Sequence, residues 1–150
     1  MMHPKEEKAM LMDFSNGYQH IGIPTNDMNA TADFYHKLGF KTIMETVNDG
    51  SQVKFFEYGS IQIETYECGG NAAGKPGGID HIAIDCPDIT GLIKAAKSEG
   101  YEFCEGPSFL PFWDHGFMYA KIKGPNAEVF EFGRVFSSDE ERDKAIAEVM

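Results

Sequence analysis

Four residues stand at repeated places in the chain and have the chemistry of a metal centre. His20 and His81 each open a short apolar run, "HIGI" and "HIAI", while Glu64 and Glu131 lie in "IQIETYE" and "EVFEFGR". The spacing from histidine to glutamate is 44 residues in the first pair and 50 in the second. Two segments that each carry one imidazole and one carboxylate would, on facing each other, converge two nitrogens and two oxygens. Such a set suits a divalent ion of the nickel, cobalt, zinc, iron or manganese kind. Four protein ligands of six leave positions for water or substrate, which a catalytic metal requires. A single strand histidine is more often a packed core residue than a ligand. The recurrence of both residue types at equivalent places is what favours the metal.

Strand parity refines the set. Gln62 lies two residues before Glu64 and shares its face, so it is an alternative ligand or a partner to one. Glu128 has the opposite parity to Glu131 and is excluded. His3 falls in an N-terminal tail and His36 on a helix, and both are expected at the surface.

The elements that must position these residues form an internal repeat. "HIGIPTNDMNATADFYHKLGFKT" from His20 aligns without a gap to "HIAIDCPDITGLIKAAKSEGYEF" from His81, 61 residues later. Ile21 and Ile23 match Ile82 and Ile84, Asp27 matches Asp88, and Gly39 matches Gly100. In each copy a short strand headed by histidine leads to an aspartate at a helix N-cap, with a glycine at the helix C-terminus. The helices read "MNATADFYHKL" and "ITGLIKAAKSE". Period-two patterns then predict three strands per copy. They fall near 40–47, 52–58 and 60–67 in the first, and near 101–105, 116–123 and 127–135 in the second. "NDGS" is a hairpin turn of the first copy and "GPNA" the last turn of the second. The expectation is an α+β fold of two tandem βαβββ modules, 16–67 and 78–136. A tail or short helix at 1–15 precedes them, and a segment at 137–150 follows, helical from Ser138 or Asp139 as cap.

Between the modules lies "GGNAAGKPGG", which is nearly a phosphate-binding loop. Pro76 stands where that motif needs Ser or Thr, and the "GIDHIAID" that follows reads as a strand rather than a helix. The stretch at 68–77 is therefore a flexible connector. The aromatic run "PSFLPFWDHGF" is expected to be a loop that accounts for the extra spacing in the second copy. It would wall the cleft, and Phe112, Trp113, His115 and Tyr119 are the candidate substrate contacts, with Gln62 from the first copy.

Composition limits the partners. The 150 residues carry a net charge of −11, which opposes binding to nucleic acid or anionic membranes. Only two arginines are present, Arg134 and Arg142, so a heavily anionic substrate finds few bidentate clamps. Arg134 has the wrong parity for the Glu131 face. Cys68, Cys86 and Cys104 form no C-x-x-C pair and suit free thiols in a reducing compartment. No apolar run approaches the ~18 residues of a membrane span, and the N-terminus lacks a secretory pattern. A soluble cytoplasmic protein is expected.

The motifs "YQHIGIPTNDMNATADFYHKLGFK", "GSIQIETYE", "GIDHIAIDCPD" and "GPNAEVFEF" resemble the vicinal oxygen chelate superfamily, the glyoxalase/bleomycin resistance/dioxygenase family, over residues 17 to 136. The resemblance implies paired βαβββ modules curled around a metal held at His20, Glu64, His81 and Glu131. The intact ligand set speaks against the bleomycin-binding branch, which lacks it. It is similar to that of glyoxalase I, which implies a lyase or isomerase acting on a small carbonyl or thiol adduct through a metal-held enediolate. Glu131 would then be the proton-moving base, with Glu64 second. The resemblance equally admits a methylmalonyl-CoA epimerase-like enzyme or a non-catalytic ligand-binding member. It also implies a homodimer, with modules paired within one chain or exchanged between two.

Overall fold

The computed structural model describes residues 11–14, 18–75, 77 and 79–150. His3 and most of the expected tail lie outside the described residues. A 3₁₀ turn, Leu11–Phe14, precedes the first module. That module comprises β1 (Ile21–Thr25), α1 (Met28–Leu38), β2 (Lys41–Asn48), β3 (Ser51–Tyr58) and β4 (Ile61–Glu67). The second comprises β5 (Ile82–Asp85), α2 (Ile89–Ser98), β6 (Glu105–Leu110), β7 (Phe117–Lys123) and β8 (Val129–Val135), followed by α3 (Asp139–Val149). The sheets are ordered β1-β4-β3-β2 and β5-β8-β7-β6, with the first pair of each parallel and the rest antiparallel.

Local chemistry fixes the element ends. Asp27 and Asp88 accept hydrogen bonds from Ala30 N and Gly91 N, each at 3.0 Å, and Ser138 Oγ accepts from Glu141 N at 3.2 Å. Gly39 ends α1 in the left-handed conformation, φ +106°. The β2–β3 hairpin turns on Asp49 and Gly50, both at positive φ, as a two-residue primed turn requires.

One expected strand is displaced. Residues 101–104 form no strand, and β6 instead occupies Glu105–Leu110, running into the stretch from Pro107 expected to be an aromatic loop. The reason lies in "SFL". Phe109 turns to the core and Leu110 to the opposite face, the period-two signature of a strand. A register shift between Glu105 and Ser108 bends the strand. There the backbone of Gly106 approaches Tyr119 so closely that a Cβ would lie 2.7 Å from its carbonyl oxygen. The loop proper is residues 111–116.

The modules pack back to back. One core joins Tyr35 and Ala32 of α1 and Phe56 and Ile63 of the first sheet to Phe130 of the second, with Ile82, Ile84 and Phe132 against it. Phe130 meets Phe34, Tyr35 and Phe40 at ring-centroid distances of 6.3, 6.0 and 6.5 Å. A second core seats α2 and α3 on β7 through Ile89, Ile93, Met118, Ala120, Phe136 and Ala145.

A buried polar clasp crosses the same seam. Tyr35 OH donates to Glu128 Oε2 at 3.1 Å, and Asn126 Nδ2 donates to Thr31 Oγ1 at 2.8 Å. Glu128, excluded as a ligand on parity, has this structural task. Burial first, and then the Glu128 carboxylate, raises the Tyr35 phenol far above its ordinary value. In the unfolded chain the phenol ionises near pH ~10, whereas in the fold it stays protonated. Stability is therefore full below pH ~10 and falls above it, by about 1.4 kcal/mol per pH unit. Denaturant unfolding from pH 9 to 11.5 is expected to show this slope reduced in Tyr35→Phe relative to the wild type. Parallel curves would remove Tyr35 as its source.

Candidate metal centre

With their hydrophobic backs together, the two sheets turn their other faces outward. On the first sheet, the register sets Glu64 opposite Gly22 on β1 and Phe55 on β3. His20, two residues before Gly22, lies on this face with its ring edge-to-face against Phe55, centroids 5.2 Å apart. Gly22 leaves the carboxylate room to lie across β1, since a Cβ there would sit 3.5 Å from Glu64 Oε1. Gln62 shares the face, donating to Glu57 Oε2 at 2.9 Å, and accepts a short hydrogen bond on its carbonyl from Tyr18 OH at 2.5 Å.

The second sheet repeats the arrangement. Glu131 stands opposite Ala83, two residues after His81, as Glu64 stands opposite Gly22. Here the pair is in contact, with His81 Nε2 3.3 Å from Glu131 Oε2. Ligand bonds of about 2.0–2.2 Å separate neighbouring donors by about 2.8–3.1 Å at an octahedral ion and about 3.3–3.6 Å at a tetrahedral one, so the spacing fits one shared cation. The other ring nitrogen is anchored: His81 Nδ1 lies 2.9 Å from Asp80 Oδ2. This bond holds the Asp80 carboxyl below its usual range. His20 Nδ1 is anchored in the same way, 3.0 Å from Gln19 Oε1. In both modules the residue just before the histidine holds Nδ1 and leaves Nε2 for a ligand, as the outer partners of metal-bound histidines do. These anchors were missed in the sequence. The signal was present, because Gln19 and Asp80 occupy the same repeat position.

The donors present in each half-site thus fit a divalent ion, but the chain does not assemble the full set. Among the described residues no group of three or more His, Cys, Asp or Glu side chains converges on a metal position. Glu64 lines a hollow with Asn48, Val53 and Tyr66, whereas His81 and Glu131 line a separate cavity of about 520 Å³. Each half-site is open to solvent on its own outward face.

The second cavity has two unlike ends. Its ionic end holds Lys121, directly opposite Glu131 in register, with Nζ 2.8 Å from Glu105 Oε2 and 3.8 Å from Glu131 Oε2. The Glu105 contact raises the lysine pKa and lowers that of the carboxylate. Its apolar end is formed by Leu110, Phe112, Trp113 and Phe117, with Tyr119 stacked on Phe117 at 5.8 Å. Phe112, Trp113 and Tyr119 thus line the cavity. His115 does not. Its Nδ1 lies 2.9 Å from Asp139 Oδ1 at the start of α3, and that contact holds the aspartate below its ordinary pKa. Lys121 was overlooked because a lysine at a β7 position carries no motif of its own. Neither arginine reaches these faces: Arg134 pairs with Glu141 at 3.0 Å, and Arg142 with Asp139 and Asp143.

No helix among the described residues is long and apolar enough to cross a membrane. No curated protein matches the sequence. Solved structures do match in fold. The fosfomycin resistance protein FosX of Listeria monocytogenes, solved with Mn(II) and sulfate, is 19% identical, with a TM-score of 0.60 over 86% of this chain and 98% of its own. A glyoxalase family protein of Enterococcus faecalis is 21% identical, with a TM-score of 0.67 over 80% and 98%. A glyoxalase/bleomycin resistance protein/dioxygenase from Alicyclobacillus acidocaldarius is 21% identical, with a TM-score of 0.65 over 83% and 95%. The model of the glyoxalase/bleomycin resistance protein/dioxygenase superfamily matches residues 17–132. The duplicated βαβββ modules agree with this match, and the chain belongs to that superfamily.

Proposed function

We propose that this protein is a metal-dependent lyase or isomerase of the glyoxalase I kind, and that its metal centre forms between two copies of the chain. The observation that carries the proposal is the His81–Glu131 pair, 3.3 Å apart on the cavity floor, with His20 and Glu64 at the equivalent register of the other module. Two half-sites that face away from each other in one chain are completed when the first module of one copy covers the second module of another. The faces left open are suited to being covered: Met44 on the Glu64 face, Val135 on the Glu131 face and Phe112 and Trp113 of the adjoining loop are all exposed. A two-fold dimer closes both pairs of faces at once and yields two identical sites.

His20, Glu64, His81 and Glu131 would hold a nickel, zinc, cobalt, iron or manganese ion. The Mn(II) bound by FosX supports this class of metal on the fold. When bound, the ion supplies stabilisation of negative charge on an oxygen next to the reacting C–H. The protein's own residues do the rest. Gln19 and Asp80 orient the imidazoles. Glu131, largely buried at 8% exposure, is the carboxylate that accepts and returns the substrate proton, and Glu64 is the second candidate. The aromatic end of the cavity excludes water from the exchange.

Closure of the dimer brings Glu64 toward Glu131 from the opposite side. That arrangement also favours a second reading, an epimerase that uses one base on each face of a carbon. The deciding experiment measures isomerisation of a methylglyoxal–thiol adduct and epimerisation of a 2-methyl-branched thioester on protein reconstituted with each metal in turn. Metal-dependent turnover of the first, lost in Glu131→Gln, is expected. Turnover of the thioester alone would select the epimerase. Stoichiometric metal without either reaction would leave a ligand-binding protein and sink the catalytic reading.

A further inference from the structure

The ionic and aromatic ends of the second-sheet cavity describe a ligand. Lys121 keeps its ammonium on the cavity floor at 16% side-chain exposure, yet only one of its contacts is close, Glu105 at 2.8 Å. Glu131 is 3.8 Å away. The Glu105 carboxylate thus holds the ammonium beside the His81–Glu131 pair. An ammonium has three protons, and a cross-strand ion pair at the rim uses one of them.

The far wall is apolar and aimed. Trp113 adopts a left-handed backbone, φ +58°, unusual for a bulky residue, and leaves its indole 65% exposed. Its ring stands edge-to-face on Phe117 at 5.5 Å and on Phe112 at 6.2 Å. An exposed indole held by aromatic neighbours on a strained turn offers a flat apolar ligand a ready-made wall.

We infer that this cavity takes a small amphipathic acid, its anionic group held by Lys121 and its flat apolar body lying against Trp113 and Phe117. The inference rests on the cavity being the substrate site of the proposed enzyme, and it names the substrate class. It also revises the expectation drawn from scarce arginines: a single anionic group is provided for, by a lysine. The neighbouring carboxylates of Glu105, Glu131 and Asp85 restrict the site to ligands of low charge, since each adds repulsion to a second anionic group.

Trp113 is the protein's one tryptophan, so its emission reports on this wall directly. The probes are 3-phenylpropanoate, its uncharged counterpart 3-phenylpropan-1-ol, and propanoate, which lacks the ring. Each is titrated with excitation at 295 nm into protein with and without added zinc. The acid is expected to shift the emission saturably and to bind about 10-fold or more tightly than the alcohol. Propanoate should give no shift. Lys121→Met should remove the preference for the acid and leave alcohol binding unchanged, while Lys121→Arg should retain it. Equal binding of acid and alcohol to the wild type overturns the inference even if Lys121→Met fails to fold.

Metal content measured on the same samples separates the two claims. If Lys121→Met loses both acid and metal, Lys121 acts through Glu131, and this inference falls while the metal reading stands. If the wild type holds no metal but its acid binding depends on Lys121, the metal reading falls and this inference stands.

Discussion

His81→Ala is expected to abolish stoichiometric metal binding and all metal-dependent turnover while leaving the fold intact. The imidazole lies at the mouth of β5 with its side chain 35% exposed, so its truncation opens no core cavity. What is lost is one ligand of four and the imidazole nitrogen 3.3 Å from Glu131. Asp80→Asn separates ligand from support. The amide still accepts from Nδ1–H but with weaker basicity, and an affinity loss of about 10- to 100-fold is the usual scale for such an outer partner. Metal titration with competition by a chelator reads both variants. Wild-type stoichiometry in His81→Ala would exclude His81 as a ligand.

The largest expected loss of stability comes from Phe130→Ala. Phe130 is 1% exposed and belongs to β8 of the second sheet, yet it packs in the core of the first module against Tyr35, Phe34 and Phe40. Truncating a buried phenylalanine costs about 3–5 kcal/mol, against a total of about 5–15 kcal/mol for a domain. Because the ring spans the seam, the loss acts on the docking of the modules as well as on one core. Urea unfolding should show a midpoint lowered to match, and Glu131, its neighbour on the opposite face, should lose metal only as the protein unfolds. A change below about 1 kcal/mol would mean that the modules are held by other contacts.

The repeat made most of this fold legible. Asp27 and Asp88 as caps, Gly39 as a helix end, and the Asp49–Gly50 turn each carry a local chemical reason that tertiary packing did not override. The sixth strand escaped because its apolar alternation is short and interrupted by Gly106 and Pro107, and because aromatic residues around a proline and an aspartate read as a loop. Register was legible in part: one residue in two points to one face, which separated Glu128 from Glu131 but left Gln62 beside Glu64, and the seam that Glu128 joins was not foreseen. Which way the faces turn was not. The same alternating pattern serves modules that face each other or stand back to back. The choice is made by Phe130, Ile82 and Ile84 meeting Tyr35 and Phe56 across the seam. No strand pattern contains that information. His115 was assigned to the cavity from its loop alone, whereas an aspartate at the start of α3 supplies it with a different partner.

The proposed metal centre is shared between two copies. It is tested most directly by mixing His20→Ala and His81→Ala chains, unfolding them together, and refolding. Each variant alone lacks a ligand in every site. A mixed dimer that shares its sites places both defects in one site and leaves the other complete. Random pairing from equal amounts then restores about a quarter of wild-type metal and turnover. Recovery near that level is the predicted result. No recovery from a mixture shown to contain the mixed dimer would contradict the shared centre.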